Sequence, residues 1–99
     1  MQEKVARFER EHELGTSAPA RLLDLVSEVG ELAKETLNGT GYGQREFEAP
    51  PSWESEVGDV LYSLITLANA TNIDLGNALD RVLEKYAKRI ESGRGPGSR

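Results

Sequence analysis

The sequence predicts an all-α fold, and three observations carry that prediction. Apolar residues recur every three to four positions from Pro19 to Leu37, from Trp53 to Ala68 and from Leu75 to Ile90. This is the spacing of a helical stripe and not the alternation of a strand. Serine, threonine or aspartate stands ahead of each segment, where helices want an N-cap. Glycine and proline gather between them: residues 39 to 51, GTGYGQREFEAPP, hold three glycines and two prolines.

In chain order, the first expected helix covers residues 2 to 13, with Val5 and Phe8 as its only strong apolar anchors. The second starts after Thr16 or Ser17, takes Pro19 in its first turn, and stops at Asn38-Gly39. Its stripe is Leu22, Leu25, Val26, Val29, Leu32, Ala33 and Leu37. The third starts at Ser52, or alternatively at Ser55, with the stripe Trp53, Val57, Val60, Leu61, Leu64, Leu67 and Ala68. After the break ATNID, Asp74 or Asn72 caps the last helix, which shows Leu75, Ala78, Leu79, Val82, Leu83, Tyr86 and Ile90. Residues 1–91 form one domain, and 92–99, SGRGPGSR, read as a disordered tail.

Composition narrows the functions. Only 37% of the 99 residues are hydrophobic, enough for a thin core, so self-association is expected. There is no cysteine, which excludes disulfides and thiolate metal sites and fits a cytoplasmic protein. A net charge of −5 argues against nucleic-acid partners. It still permits a phosphate ligand if a divalent cation lies between. The run Val60 to Ile73 is too short and too polar to span a bilayer, and the charged start is no secretory signal, so no membrane partner is expected.

Two hexapeptides stand out, SEVGEL at 27–32 and SEVGDV at 55–60. On a helical wheel Glu28 and Glu31 fall on the flank away from the apolar stripe, with Asp24 and Glu35. Glu56 and Asp59 take the equivalent place on the next helix, with Ser63 nearby. If the two helices pack antiparallel, the acid pairs face each other. Like charges on one exposed helix cost ~0.2–0.5 kcal/mol. Converging in a partly dry cleft, they cost on the order of 4 kcal/mol per close pair. A bound hard cation offsets that, and oxygen donors suit Mg²⁺, with Mn²⁺ as a substitute. Gly30 and Gly58 each cost a helix roughly 1 kcal/mol relative to alanine, and are expected to admit another helix at close range. The competing reading is a non-catalytic helical oligomerisation module whose acids are simply wet faces.

The E-x-x-E of Glu28 and Glu31 followed by the E-x-x-D of Glu56 and Asp59 resembles the MazG-like nucleoside triphosphate pyrophosphohydrolases of the all-α NTP pyrophosphatase superfamily. The likeness runs from about Ala18 to Ile90 and is nearest in pattern to the short dCTP-pyrophosphatase-type members. It implies a four-helix-bundle core completed by homodimerisation, in a dimer or a dimer-of-dimers tetramer. It also implies hydrolysis of a nucleoside triphosphate to monophosphate and pyrophosphate with Mg²⁺. By the same resemblance Glu28, Glu31, Glu56 and Asp59 are metal ligands, and Glu28 or Glu31 handles the attacking water. Lys85 and Arg89 would contact phosphate. Asn38 and Ser63 occupy substrate-contact positions where dCTP-type members carry aromatics, so base choice does not transfer. Ser27 stands where many members have a further Glu, and Tyr86 where they often have Asn. No histidine follows Asp59, which sets the chain apart from phosphoribosyl-ATP pyrophosphohydrolases.

Other candidates are weaker. His12, the one histidine, reads as a surface residue and Trp53 as core. Arg21 and Lys34 are substrate contacts or solvated charges. GTGYG lacks the strand and the Gly-Lys-Ser/Thr of a phosphate loop, and reads as a loop able to fold over a bound nucleotide.

Overall fold

A computed structural model of the chain describes residues 1–93. Within them it contains four helices and no strand: α1 (Gln2–Glu11), α2 (Ala18–Gly39), α3 (Trp53–Ala70) and α4 (Leu75–Glu91). Among the described residues no helix is long and apolar enough to cross a membrane. The expected caps appear at two of the three starts. Ser17 accepts from the amide of Ala20 at 3.3 Å, and Asp74 from that of Asn77 at 3.0 Å. Ser52 precedes α3 without capping it and spends its hydroxyl on Glu35 instead. Of the expected tail, Ser92 and Gly93 close α4, and residues 94–99 lie outside the described part.

α2 and α3 form the main packing unit. Early α2 meets late α3 and late α2 meets early α3, so the pair is antiparallel. Arg21 and Asp24 share a cleft with Tyr62 and Ser63, while Glu35 bonds Ser52. The face that α2 turns to α3 carries Arg21, Leu25, Glu28, Leu32, Glu35 and Gly39, all buried or half-buried. Their four-then-three spacing is a coiled-coil seam. α3 answers with Trp53, Glu56, Val60, Ser63 and Leu67.

This corrects the wheel reading in one respect. The acids were expected on the flank away from the buried face, yet Glu28 and Glu56 sit in the seam itself. Only part of the apolar stripe shares the seam, Leu25 and Leu32, while the rest turns outward: Val26 is 61% exposed and Val29 47%. The glycines differ from expectation too, since among the described residues no other element comes within 4 Å of a Cβ built on Gly30 or Gly58.

α1 crosses α3, with Phe8 edge-on to Tyr62 at 6.4 Å. Gln2 ties its start to the corner between α3 and α4. Its side-chain amide donates to Asn69 at 2.9 Å and to the carbonyl of Ile73 at 2.7 Å. Its side-chain oxygen accepts from the amide of Leu75 at 2.7 Å. Beyond that corner α4 packs only sparsely and buries none of its residues fully. An apolar groove of about 530 Å³ remains between α3 and α4, lined by Leu61, Leu64, Ile65, Leu75, Leu79 and Val82 among others. Among the described residues, Ile65 and Ala68 are the buried hydrophobic ones. A buried isoleucine contributes roughly 1.5–3 kcal/mol, so this core is as thin as composition suggested. The radius of gyration, 16.7 Å, exceeds the ~13 Å of a compact chain this long.

Between α2 and α3 the chain turns back on itself. Leu37 accepts from the amide of Tyr42 at 2.7 Å, and Gly39 from the amide of Glu48 at 2.9 Å. Phe47 then packs against Trp53 with ring centroids 5.0 Å apart. A Cβ on Gly39 would lie 2.5 Å from the Phe47 ring, so this position needs glycine for close approach.

Candidate metal and substrate site

The seam brings carboxylates from both helices to one point. Glu28 from α2 and Glu56 and Asp59 from α3 each place an oxygen so that the three lie within 4.8 Å of one another. Glu28 and Glu56 are half-buried and Asp59 is exposed. Nothing basic pairs with any of the three among the described residues. Glu56 feels this most. Partial desolvation, then the negative charges of Asp59, Glu28, Glu31 and Glu35, push its carboxyl above the ordinary glutamate value. Glu31 is exposed and stands outside the three-acid group, although its charge reaches Glu56.

Beside the acids opens a cleft of about 300 Å³, lined by Arg21, Asp24, Ser27, Glu28, Asp59, Tyr62 and Ser63. Ser63 is 6% exposed and stands one turn beyond Asp59. Asn38 lies elsewhere, at the end of α2, where its side chain donates to Glu35 at 3.0 Å. Lys85 and Arg89 share one face of α4, each 5.5 to 5.8 Å from the centre of the Tyr86 ring. With Arg81, Glu84, Lys88 and Ser92 they line a surface that shares no residue with the acid cleft.

For Arg21 the sequence leaves two readings open, substrate contact and solvated charge, and the structure removes the second. It is 9% exposed and ion-paired with Glu9 of α1, so it is not a solvated charge. Its signal was available: it stands seven residues before Glu28, two turns back on the same face. His12 is exposed as expected, with Nδ1 2.9 Å from the carbonyl of Phe8. Trp53 is half-buried against Phe47.

The antiparallel helix pair gathers oxygen donors from both members beside a cleft, which makes this an all-α protein with a carboxylate group of the kind that suits a hard divalent cation. The donors fit such an ion: they are carboxylates only, and Glu56 is held at an electrostatic disadvantage that a cation relieves.

Comparison with known proteins makes the assignment narrower. Residues 17–93 match the model of the MazG nucleotide pyrophosphohydrolase domain. The chain is 38% identical over 93 residues to the uncharacterized protein YpjD of Bacillus subtilis, covering 90% of this chain and 82% of that protein. Two crystal structures are similar at a TM-score of 0.73. One, a Bacillus-conserved MazG protein described as a nucleotide pyrophosphohydrolase, is 37% identical, with 87% of this chain and 84% of that chain covered. The other, the putative pyrophosphatase YpjD from Bacillus subtilis, is 39% identical, with 89% and 90% covered. The chain belongs to the MazG nucleotide pyrophosphohydrolase family. It is therefore an enzyme, a nucleotide pyrophosphohydrolase acting on an acid anhydride, from a family that depends on a divalent metal.

Proposed function

We propose that the protein is a Mg²⁺-dependent nucleoside triphosphate pyrophosphohydrolase, converting an NTP or dNTP to its monophosphate and pyrophosphate. The observation that carries this reading is the convergence of Glu28, Glu56 and Asp59 from two helices of a MazG domain. These three would hold the cation and Glu31 would complete the set of four from one turn further along α2. When bound, the cation neutralises the polyphosphate and acidifies water near the α-phosphorus. Glu28 or Glu31 would take the proton from that water, and Glu31, outside the three-acid group, is the freer of the two to do so. The water oxygen bonds to the α-phosphorus, the bond from that phosphorus to the α–β bridging oxygen breaks, and pyrophosphate leaves. Positioning and electrostatics supply the rate, with no covalent intermediate. Ser63 and Asn38 remain proposed substrate contacts, Ser63 from the cleft wall.

The test is pyrophosphate release from a panel of NTPs and dNTPs, with and without Mg²⁺. Release that needs Mg²⁺ and disappears in Glu56→Gln supports the reading. A variant indistinguishable from wild type would instead favour the helical module with wet acidic faces.

We further propose a homodimer, alone or paired into a tetramer, in a cytoplasmic setting that the lack of cysteine fits. Its support is the outward apolar stripe of α2, the open groove beside α4 and the extended shape of the single chain. Lys85 and Arg89 can neutralise the leaving pyrophosphate only where α4 reaches the cleft, so a second copy would have to bring it there. Mixing inactive Glu56→Gln with inactive Lys85→Ala should then restore activity, since some mixed dimers hold one intact site. No recovery would place both groups in one chain. Gly58→Ala sharpens the same point. In a lone chain it gains ~1 kcal/mol of helix propensity, whereas under a closely packed second copy it lowers stability.

A further inference from the structure

We infer that Arg21 is a substrate-binding residue, the cation within this chain that grips the phosphate chain, and that Glu9 holds it in aim. The inference rests on the pyrophosphohydrolase reading and names a residue that reading does not use.

Arg21 is the one basic side chain among those lining the acid cleft. It does not neutralise the acids there: its ion pairs go to Glu9 of α1 and, at 3.9 Å, to Asp24. Glu28 and Asp59 line the same cleft without pairing to it. The guanidinium is divided in its commitments. Nη2 donates to the Glu9 carboxylate and to the carbonyl of Leu14. Nη1 has only Asp24, beyond hydrogen-bond distance. No buried side-chain nitrogen in the described residues lacks a partner, so Nη1 keeps contact with solvent. A donor held rigid at one prong and open at the other is poised for an anion.

The chemistry of that anion follows from its neighbours. A simple carboxylate or sulfate would be repelled by Glu28, Asp59 and Asp24. A phosphate chain coordinated to a divalent cation is not, because the acids take the cation while the guanidinium takes phosphate oxygens. Arginine's planar fork suits that task, and its position on a nine-tenths buried stem limits the entropy lost on binding. Asp24 is more than half exposed and competes weakly for the same nitrogen.

The alternative is that Arg21 merely staples α1 to α2. Binding of inorganic tripolyphosphate in the presence of Ca²⁺, followed by calorimetry, separates the two. The variant used is the neutral pair Arg21→Gln with Glu9→Gln, which leaves no orphaned charge. It should lose affinity on the order of 10-fold or more, the worth of a hydrogen bond to a charged group, and raise KM for nucleotide. Asp24→Asn frees Nη1 of its rival and should tighten binding several-fold, a gain that a staple does not give. If both variants keep wild-type affinity and only the melting temperature moves, the inference is wrong. It is equally wrong if wild type binds no tripolyphosphate. A wild type that binds this probe, loses it in the pair variant and yet releases no pyrophosphate from any nucleotide would sink the hydrolase reading and leave the Arg21 site standing.

Discussion

Glu35 and Glu56 are half-buried glutamates in the same seam, and they live in opposite circumstances. Glu35 accepts hydrogen bonds from Ser52 at 2.7 Å and Asn38 at 3.0 Å. Those bonds, the Ser52 one first, hold its carboxyl below the ordinary value. Glu56 has no hydrogen-bond donor among the described residues, and partial desolvation with four acidic neighbours pushes it the other way. One carboxylate is satisfied by the fold and so contributes to it. The other is left wanting, and only something from outside the chain can satisfy it. The difference separates an acid the fold satisfies from one it does not, at positions that look alike in the sequence, and the proposed metal role falls to the second.

The largest expected effect falls on activity. Glu56→Gln should cut turnover by more than the ~10–100-fold lost when a group merely supporting a metal ligand is removed. Glu35→Gln should leave kcat within a few-fold, because it lies outside the three-acid group. Equal losses in steady-state pyrophosphate assays would erase the distinction.

Next comes the metal itself. A cation that binds only the folded chain, at one hundred times its Kd, adds about 2.7 kcal/mol. At about 4–8 °C per kcal/mol for a domain this size, that is a rise of about 10–20 °C. A thermal melt with Mg²⁺ against EDTA measures it. The rise should survive in Glu35→Gln and shrink sharply in Glu56→Gln.

The pH dependence in EDTA is subtler, and the two glutamates contribute opposite signs. A carboxyl raised in the folded state adds stability that is present at low pH and lost as pH climbs through its folded pKa. Glu56 therefore makes the metal-free protein less stable as pH rises above the ordinary carboxylate value. A carboxyl lowered in the folded state adds stability at neutral pH that is lost as pH falls through its folded pKa, which is the case of Glu35. Melting temperatures of the two Gln variants should lie near wild type in acid and diverge from it toward neutral pH in opposite directions, Glu56→Gln upward and Glu35→Gln downward. Glu56→Gln should be the more stable protein at neutral pH without metal.

The smallest effect is that of Ser52→Ala. It removes one donor from Glu35 and no N-cap bond, since Ser52 makes none. A slight drop in melting temperature at neutral pH, fading in acid, is expected. A drop that persists in acid would mean Ser52 matters for another reason.

Much of this was legible in the sequence. Helical spacing and turn residues marked all four helices, and the caps at Ser17 and Asp74 were among the candidates. The repeated hexapeptides pointed to Glu28, Glu31, Glu56 and Asp59, of which the chain brings together all but Glu31. What could not be read was which face meets which partner. Periodicity shows that a helix has an apolar side, not what covers it. Here the Val26–Val29 side faces out, and the intrachain seam interleaves Leu25 and Leu32 with Glu28 and Glu35. The burial of Arg21 was illegible for the same reason, because it depends on Glu9 and Leu14 from a helix and a turn that the α2 pattern says nothing about.

The backbone bond between Gly39 and Glu48 closes the crossover before α3 begins. Whatever length of chain lies between those two positions is thereby an appendix to the helical pair and not a spacer within it. Natural variation or an engineer can enlarge residues 41–46, grafting a new recognition element there, while the register that aligns the acids stays untouched.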